Sequence, residues 1–468
     1  MTAKNFMWVI LDSLRGDRTS IGGHNRGTTP TLREIGEEAN GFAGMCFSHA
    51  IWSQPSVASM LTGTVPSTHG SGSHNEKLPN QIPTVAERLS ENGYRTIAVS
   101  SNPYFSEATG MHRGFDKFEF LSGSTLVREA GLGNFLSFLS ALRTFSGGFE
   151  FDKRKHSPDF LLNEIIKSRL REGSRGDIPF FLVAHYNGAH HPYFPSPKYR
   201  GSFETDLQIP SENCAQRVFE LSSDIYSGIA EGRFDDDDTK AMIRNMYDAQ
   251  VTQVDALVSN LLSSLEQIGI AEDTIVVITS DHGDLLGEMG LFSHKLALHD
   301  ALIKVPIAVR GSDFIAEARG DLIQHTDVMQ TILTELGIET SGMQGYNLDE
   351  NVRGMAVAQR GEETYQKTMS EIREYDANFD HDHVLPGFVT ALRTKTWKYV
   401  SSGQDANLYR LPDENTNVSD QYSNVAKRFK HHMSKWHDEY GDTVLSNKQA
   451  GFDQEAKDLL ADLGYIQS

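Results

Sequence analysis

The chain has 468 residues, enough for two or three domains of ordinary size and a large buried core. Apolar residues make up 38% and charged residues 23%, with 40 Gly and 15 Pro, a profile that excludes a disordered or fibrous protein. Against 43 Lys plus Arg stand 63 Asp plus Glu, a formal charge of -20, so nucleic acid is not an expected partner.

No apolar run reaches the roughly 18 residues of a membrane-spanning helix, and no membrane span is expected. The N-terminus runs directly into a short apolar stretch without a signal-peptide cleavage pattern, and Cys46 and Cys214 fit no paired motif. A cytoplasmic location with two reduced thiols is the expectation, Cys46 being read as a buried apolar residue.

Residues 6–11 form a continuous apolar run closed by Asp12, as expected of a strand buried on both faces of a parallel sheet. Residues 95–99, 180–184, 274–278 and 305–309 have the same character. Between them, Val251, Val254, Leu257, Val258, Leu261, Leu262 and Leu265 mark one stripe of a long helix. This alternation predicts an α/β fold with a large, mostly parallel central sheet flanked by helices. Residues 120–175 and 196–240 break the rhythm and read as insertions, either a substrate-shaping lid or plain surface elaboration. The acidic run Asp235 to Asp238 reads as a solvated helix start. After about residue 350 the pattern changes to short alternating segments and a polar helical tail. The expected organisation is a large α/β domain over 1–350 and a smaller C-terminal α+β subdomain over 351–468.

Four clusters could carry chemistry. Asp12 and Asp281 each follow a buried-strand pattern, and the carboxyl ends of strands in open α/β sheets form the ligand crevice. With His282 beside Asp281 they make an oxygen-rich set with one imidazole, suited to Mg, Mn or Ca. Ser53 stands just before Pro55 and a stretch of helical spacing, so its side chain is either a helix cap or a nucleophile at a helix N-terminus. The third cluster, His185 to Tyr193, follows another strand and includes His190 and His191, one of which could protonate a leaving group. The fourth is a Gly-bearing loop in which Lys295 could hold a tetrahedral anion.

In order along the chain, these clusters resemble the sulfatase family of the alkaline phosphatase superfamily. The resemblance rests on Asp12-Ser13-Leu14-Arg15-Gly16-Asp17, Ser53 to Gly63, His190-His191-Pro192, Thr279-Ser280-Asp281-His282-Gly283 with Lys295, and Ala391 to Tyr399. It implies an alkaline-phosphatase-like fold and one divalent metal ion, Ca, Mg or Mn, held by Asp12, Asp281, His282 and Ser53. It further implies Ser53 as the nucleophile, as serine or as formylglycine, Lys295 as a contact to the bound ester, and His190 near the leaving-group oxygen. The implied substrate is a small anionic ester such as a sulfated sugar or an aryl ester.

Departures from the pattern sharpen the reading. Val57 stands where the formylglycine signature has an arginine, and Ser13 replaces the second of two adjacent metal-binding aspartates. The family's Gly-Lys-x-His stretch is absent, and Asn102 is expected to supply a polar contact in its place. His282 stands where many sulfatases have Asn, which resembles the phosphonate and phosphodiester hydrolases and the phosphoryl-group transferases of the superfamily. An unmodified serine that attacks sulfur leaves an ester that is hard to hydrolyse, whereas a phosphoserine can be resolved by metal-activated water. Sulfate ester hydrolysis is therefore the first reading. A phosphodiester or phosphonate monoester hydrolase or transferase using unmodified Ser53 is the second, and a non-catalytic binding protein the third.

Overall fold

A computed structural model describes residues 4–38, 41–203, 209–312, 322–446 and 448–462. Thirteen strands are described: β1 Asn5–Leu11, β2 Gly41–Phe47, β3 Arg95–Ser100, β4 Lys117–Phe120, β5 Phe180–Tyr186, β6 Thr274–Thr279, β7 Leu285–Leu286, β8 Phe292–Ser293, β9 Lys304–Arg310, β10 Ala356–Arg360, β11 Val389–Arg393, β12 Trp397–Ser401 and β13 Ala406–Arg410. Seven of them build the central sheet in the order β2-β9-β6-β1-β5-β3-β4. β1 lies between β5 and β6 and runs parallel to both, and β3 is parallel to β5 and β4.

β1 is apolar at every position after Asn5 because it is covered on both sides. Met7, Val9 and Leu11 point into one core with the helices Asp159–Gly173 and Asp237–Ile268, and Phe6, Trp8 and Ile10 point into the other with Ser53–Thr62 and His325–Glu335. Residues 305–309 share this apolar character, yet β9 pairs antiparallel with β6 and β2. An apolar run reports burial on both faces and carries no information about strand direction. β2 and β4 have no such run: two glycines interrupt β2, and β4 is a four-residue edge strand.

The segments that break the sequence rhythm fold into the body of the domain. Within residues 120–175, the helix Asp159–Gly173 sends Leu161, Leu162, Ile165 and Ile166 into the same core as β1. The helix Gly123–Phe145 lies outside it and bends at Gly131, where φ is 75°. Within residues 196–240, Ser211–Ser223 buries Val218 and Phe219 in that core as well. The acidic run starts the 32-residue helix Asp237–Ile268, the Asp236 side chain accepting from Thr239 N at 2.7 Å. Beyond residue 350, β10 to β13 form a four-stranded antiparallel sheet. The helix Ser423–Tyr440 covers it through Phe429 and Met433.

One buried carboxylate ties the fold to the site. Asp159 opens its helix and accepts N–H bonds from Asn187 at 2.8 Å and Gly188 at 3.0 Å, which pins the loop that carries His190 and His191. Burial raises Asp159 from 3.8 to about 6, against those two bonds. Between these values the folded chain holds a proton that the unfolded chain has released. The Asp159 contribution to stability is therefore fully present below 3.8 and is lost as pH rises through about 6. Urea unfolding at a series of pH values should show the stability of wild type relative to Asp159→Asn falling across that window and level above it. Parallel curves would contradict the assignment.

Candidate active site

Two neighbouring strands deliver the two central carboxylates. Asp12 directly follows β1 and Asp281 follows β6 by one residue beyond Ser280, at the carboxyl ends of paired parallel strands. The backbone between Asp12 and Leu14 turns sharply, with Ser13 at a φ of 60°, an uncommon value for a residue with a side chain. That turn aims Ser13 N at Asp281 Oδ1, 3.2 Å away, while Ser13 Oγ donates to Asp12 Oδ1 at 3.1 Å. Ser13 thus serves the site through hydrogen bonds to both carboxylates.

His282 completes the set. Its Nδ1 donates to the Gly283 carbonyl at 2.8 Å, so the ring presents the Nε2 lone pair to the site. That nitrogen lies 3.6 Å from Asp12 Oδ1, 3.5 Å from Asp281 Oδ2 and 3.3 Å from Ser53 Oγ. One donor atom from each of Asp12, Asp281 and His282 falls within 4.8 Å of the others, and all three residues are buried.

Ser53 is the first residue of the helix Ser53–Thr62, and Trp52 occupies the cap position. The hydroxyl is consequently turned away from capping and into the acidic cluster. It donates to the Asp281 carboxylate and accepts from Asn102 Nδ2 at 3.1 Å. Asn102 also donates to Asp12 Oδ2 at 2.8 Å, bridging the nucleophile candidate and the first carboxylate. Ser53 is fully buried, at the positive end of a helix whose ten residues are all buried.

A cation fits this arrangement. Burial, reinforced by the Asp281 charge, pushes Asp12 well above the usual carboxylate range, so without a counter-charge the two acids cannot both ionise easily. Burial also opposes the Asp281 charge, but His282, His185 and hydrogen bonds from Ser53 and the Ser13 backbone outweigh it and hold Asp281 low. Among the described residues, Asp281 Oδ2 lacks a hydrogen-bond partner although it is buried. The hard carboxylate oxygens and one imidazole are a donor set for a divalent ion.

The sequence reading passed over His185 and His294 as individual residues. His185 lies on β5 beneath the cluster, its Nε2 3.7 Å from Asp12 Oδ2 and 3.8 Å from Asp281 Oδ2, and burial pushes it down to about 4. A histidine inside a strand pattern gives no sequence signal of its own beyond breaking an apolar run. His294 packs its ring 4.5 Å from that of His282 and 5.1 Å from that of His190. It precedes Lys295, and the loop turns between them. Lys295 Nζ donates to the Tyr226 hydroxyl at 3.0 Å, and burial lowers the amine to about 8. His190 donates from Nδ1 to the His191 carbonyl, and burial pushes it down to about 3.

Two cavities flank the cluster. One of about 820 Å³ is lined by Ser101, Asn187, His190, His191 and Phe194. The other, of about 320 Å³, is lined by Trp52 and Gln54, the neighbours of Ser53 in the chain, and by Tyr104, Lys295, Glu363 and Lys367.

Comparison with known proteins agrees with this geometry. The family model described as Sulfatase matches residues 4–338. Arylsulfatase K from Bos taurus is 23% identical over 450 residues, covering 91% of this chain and 79% of its own. The N-acetylglucosamine-6-O-sulfatase of Bacteroides thetaiotaomicron is 23% identical over 406 residues, covering 74% and 70%. Among solved structures, the phosphonate monoester hydrolase of Agrobacterium radiobacter superposes with a TM-score of 0.71 at 17% identity, covering 93% of this chain and 96% of that one. The large parallel sheet, the ordered motifs and the matched length together show that the chain belongs to the sulfatase family, sulfuric ester hydrolases with an alkaline-phosphatase-like fold.

Proposed function

We propose that this protein hydrolyses sulfate monoesters of small carbohydrates at Ser53, with one divalent cation held by Asp12, Asp281 and His282. The observation that carries the reading is the Ser53 hydroxyl, turned into the metal-type cluster and bonded to Asp281 and Asn102. A divalent ion held by Asp12, Asp281 and His282 would supply Lewis acidity to the site. Asp281 orients the attacking hydroxyl, that of Ser53 or of the hydrate of its aldehyde form, and accepts its proton, and Asn102 fixes the oxygen while also restraining Asp12. The N–H groups at the start of the Ser53–Thr62 helix favour the anionic end of the ester. Burial of Ser53 excludes bulk water during attack.

A carbohydrate suits the smaller cavity. Trp52 and Tyr104 meet edge to face at 5.0 Å, Tyr104 meets Phe452 at 6.0 Å, and Lys295, Lys367 and Glu363 add polar contacts beside this apolar wall. Similarity to an enzyme named for N-acetylglucosamine-6-O-sulfate supports the same substrate class.

A second reading has its own observation. Val57 is buried in the apolar cluster with Trp8 and Met60, so the helix bearing Ser53 offers no arginine to the site. A serine that stays unmodified favours phosphorus esters, whose enzyme-bound intermediate water can resolve. Turnover of matched aryl sulfate, phosphate monoester and phosphodiester substrates separates the two. We expect the sulfate to be preferred, with Ser53→Ala reducing turnover about a thousandfold or more. Mass spectrometry of the peptide carrying Ser53 should then show the loss of two hydrogens that marks an aldehyde. A preference for a phosphorus ester with intact serine would establish the second reading, and full turnover by Ser53→Ala would overturn both.

Metal dependence has a readout without turnover. Mass action predicts that an ion at a hundred times its dissociation constant stabilises the fold by about 2.7 kcal/mol. Thermal unfolding with Ca, Mg or Mn should therefore shift upward for wild type and not for Asp281→Ala.

A further inference from the structure

The turn that follows β1 is held from a distance. Ser13 has a φ of 60°, a value that costs free energy for a residue with a side chain and persists only where the surroundings over-determine it. Its neighbours supply that restraint. Asp12 N donates to the Tyr186 carbonyl at 3.1 Å, the Asp12 carbonyl accepts from Ala189 N at 3.0 Å, and Leu14 N donates to Ser280 Oγ at 2.8 Å. These partners come from β5, the loop after it and the end of β6, the segments that already carry the site.

The remaining two backbone groups of the turn end on one atom of a remote helix. The Tyr247 hydroxyl donates to the Ser13 carbonyl at 2.8 Å and accepts from Arg15 N at 2.8 Å, closing separations of 234 and 232 residues. A phenol is suited to this because it gives and takes a hydrogen bond at the same oxygen. Tyr247 stands on the helix Asp237–Ile268 and is fully buried. Its ring meets that of Tyr193 edge to face at 5.2 Å, and the Tyr193 hydroxyl donates to Asp284 Oδ2 at 2.5 Å. Tyr247 is thus held at its ring as well as at its hydroxyl, and it spans the turn as a clamp. Phenylalanine would fill the same space and leave a buried carbonyl and a buried N–H unpaired.

What the turn delivers is the geometry of the two acids. Ser13 N points at Asp281 Oδ1 and Ser13 Oγ at Asp12 Oδ1, so a change of φ at Ser13 moves the hydrogen-bond support of both carboxylates at once. We infer that Tyr247 is a positioning residue for the ester hydrolase. It lies outside the donor set of Asp12, Asp281 and His282, and its hydroxyl locks the Ser13 turn so that these carboxylates stand preorganised for a divalent ion. The clamp itself does not depend on the cation, whereas its effect on the site rests on the cation reading above.

The test compares full-length Tyr247→Phe with wild type and with Val258→Ala, a buried truncation about three turns further along the same helix. Hydrogen exchange read by mass spectrometry should speed up about tenfold or more in the peptide carrying Ser13 to Arg15 for Tyr247→Phe, and stay at the wild-type rate there for Val258→Ala. Calorimetric titration of chelator-stripped protein with calcium, magnesium and manganese ions in turn should show binding weakened about tenfold or more in Tyr247→Phe only. Wild-type exchange in Tyr247→Phe, or exchange raised equally in Val258→Ala, overturns the clamp. Faster exchange with unchanged affinity overturns its role at the site. A wild type that binds none of the three ions overturns the cation reading and with it the effect on the site, while the exchange rates still decide the clamp. Thermal unfolding shows whether the variants are folded. Should Tyr247→Phe not fold, slow exchange of the Arg15 amide in wild type supports the clamp and rapid exchange overturns it.

Discussion

Two buried carboxylates of like charge, at the ends of adjacent parallel strands, are the constraint around which the rest is built. The β1 and β6 pairing brings Asp12 and Asp281 to the same end of the sheet, and no exposed surface relieves their repulsion. Every neighbour answers it. The Ser13 turn gives a backbone N–H to Asp281 and a hydroxyl to Asp12, Asn102 gives an amide to Asp12, and the His282 and His185 rings stand within 3.8 Å of carboxylate oxygens of both. Such a nest of buried acceptors is a donor set suited to a divalent cation.

The helix that carries Ser53 adds direction to this charge. Because Trp52 takes the cap position, the serine hydroxyl does not satisfy its own backbone and remains available for chemistry. The same helix turns Val57 into the core, so what this helix presents to the site is the positive end of its dipole and no guanidinium.

The fold was legible in the sequence where burial alone determines the pattern. The runs at 6–11, 95–99, 180–184 and 274–278 are apolar because helices cover both faces, and they appear as β1, β3, β5 and β6. Direction was not legible at β9, nor existence at β2 and β4, because edge position and antiparallel pairing leave no mark in an apolar run. In the site, residues at strand ends and at a helix start were readable, since elementary geometry places them. Among loop residues, Asn102 was readable through the family resemblance and is bonded to Asp12 and Ser53, whereas His294 was not. His294 is set against His282 by the Asp284 anchor ten residues back and by Ser293 at positive φ. No local pattern announces either.

The sheet order has a consequence for how the chain is made. β1 leaves the ribosome before every other described strand, and its six residues after Asn5 are wholly apolar and at most 1% exposed in the finished fold. Its partners are β5, which begins at residue 180, and β6, which begins at residue 274. The bond from Ser13 N to Asp281 Oδ1 closes a separation of 268 residues. More than half the chain must therefore be synthesised before the central strand is covered on both edges, a topology that folds slowly and leaves a sticky segment waiting. A nascent or truncated chain that ends before β6 lacks not only a catalytic group but the strand that shields the N-terminus from aggregation.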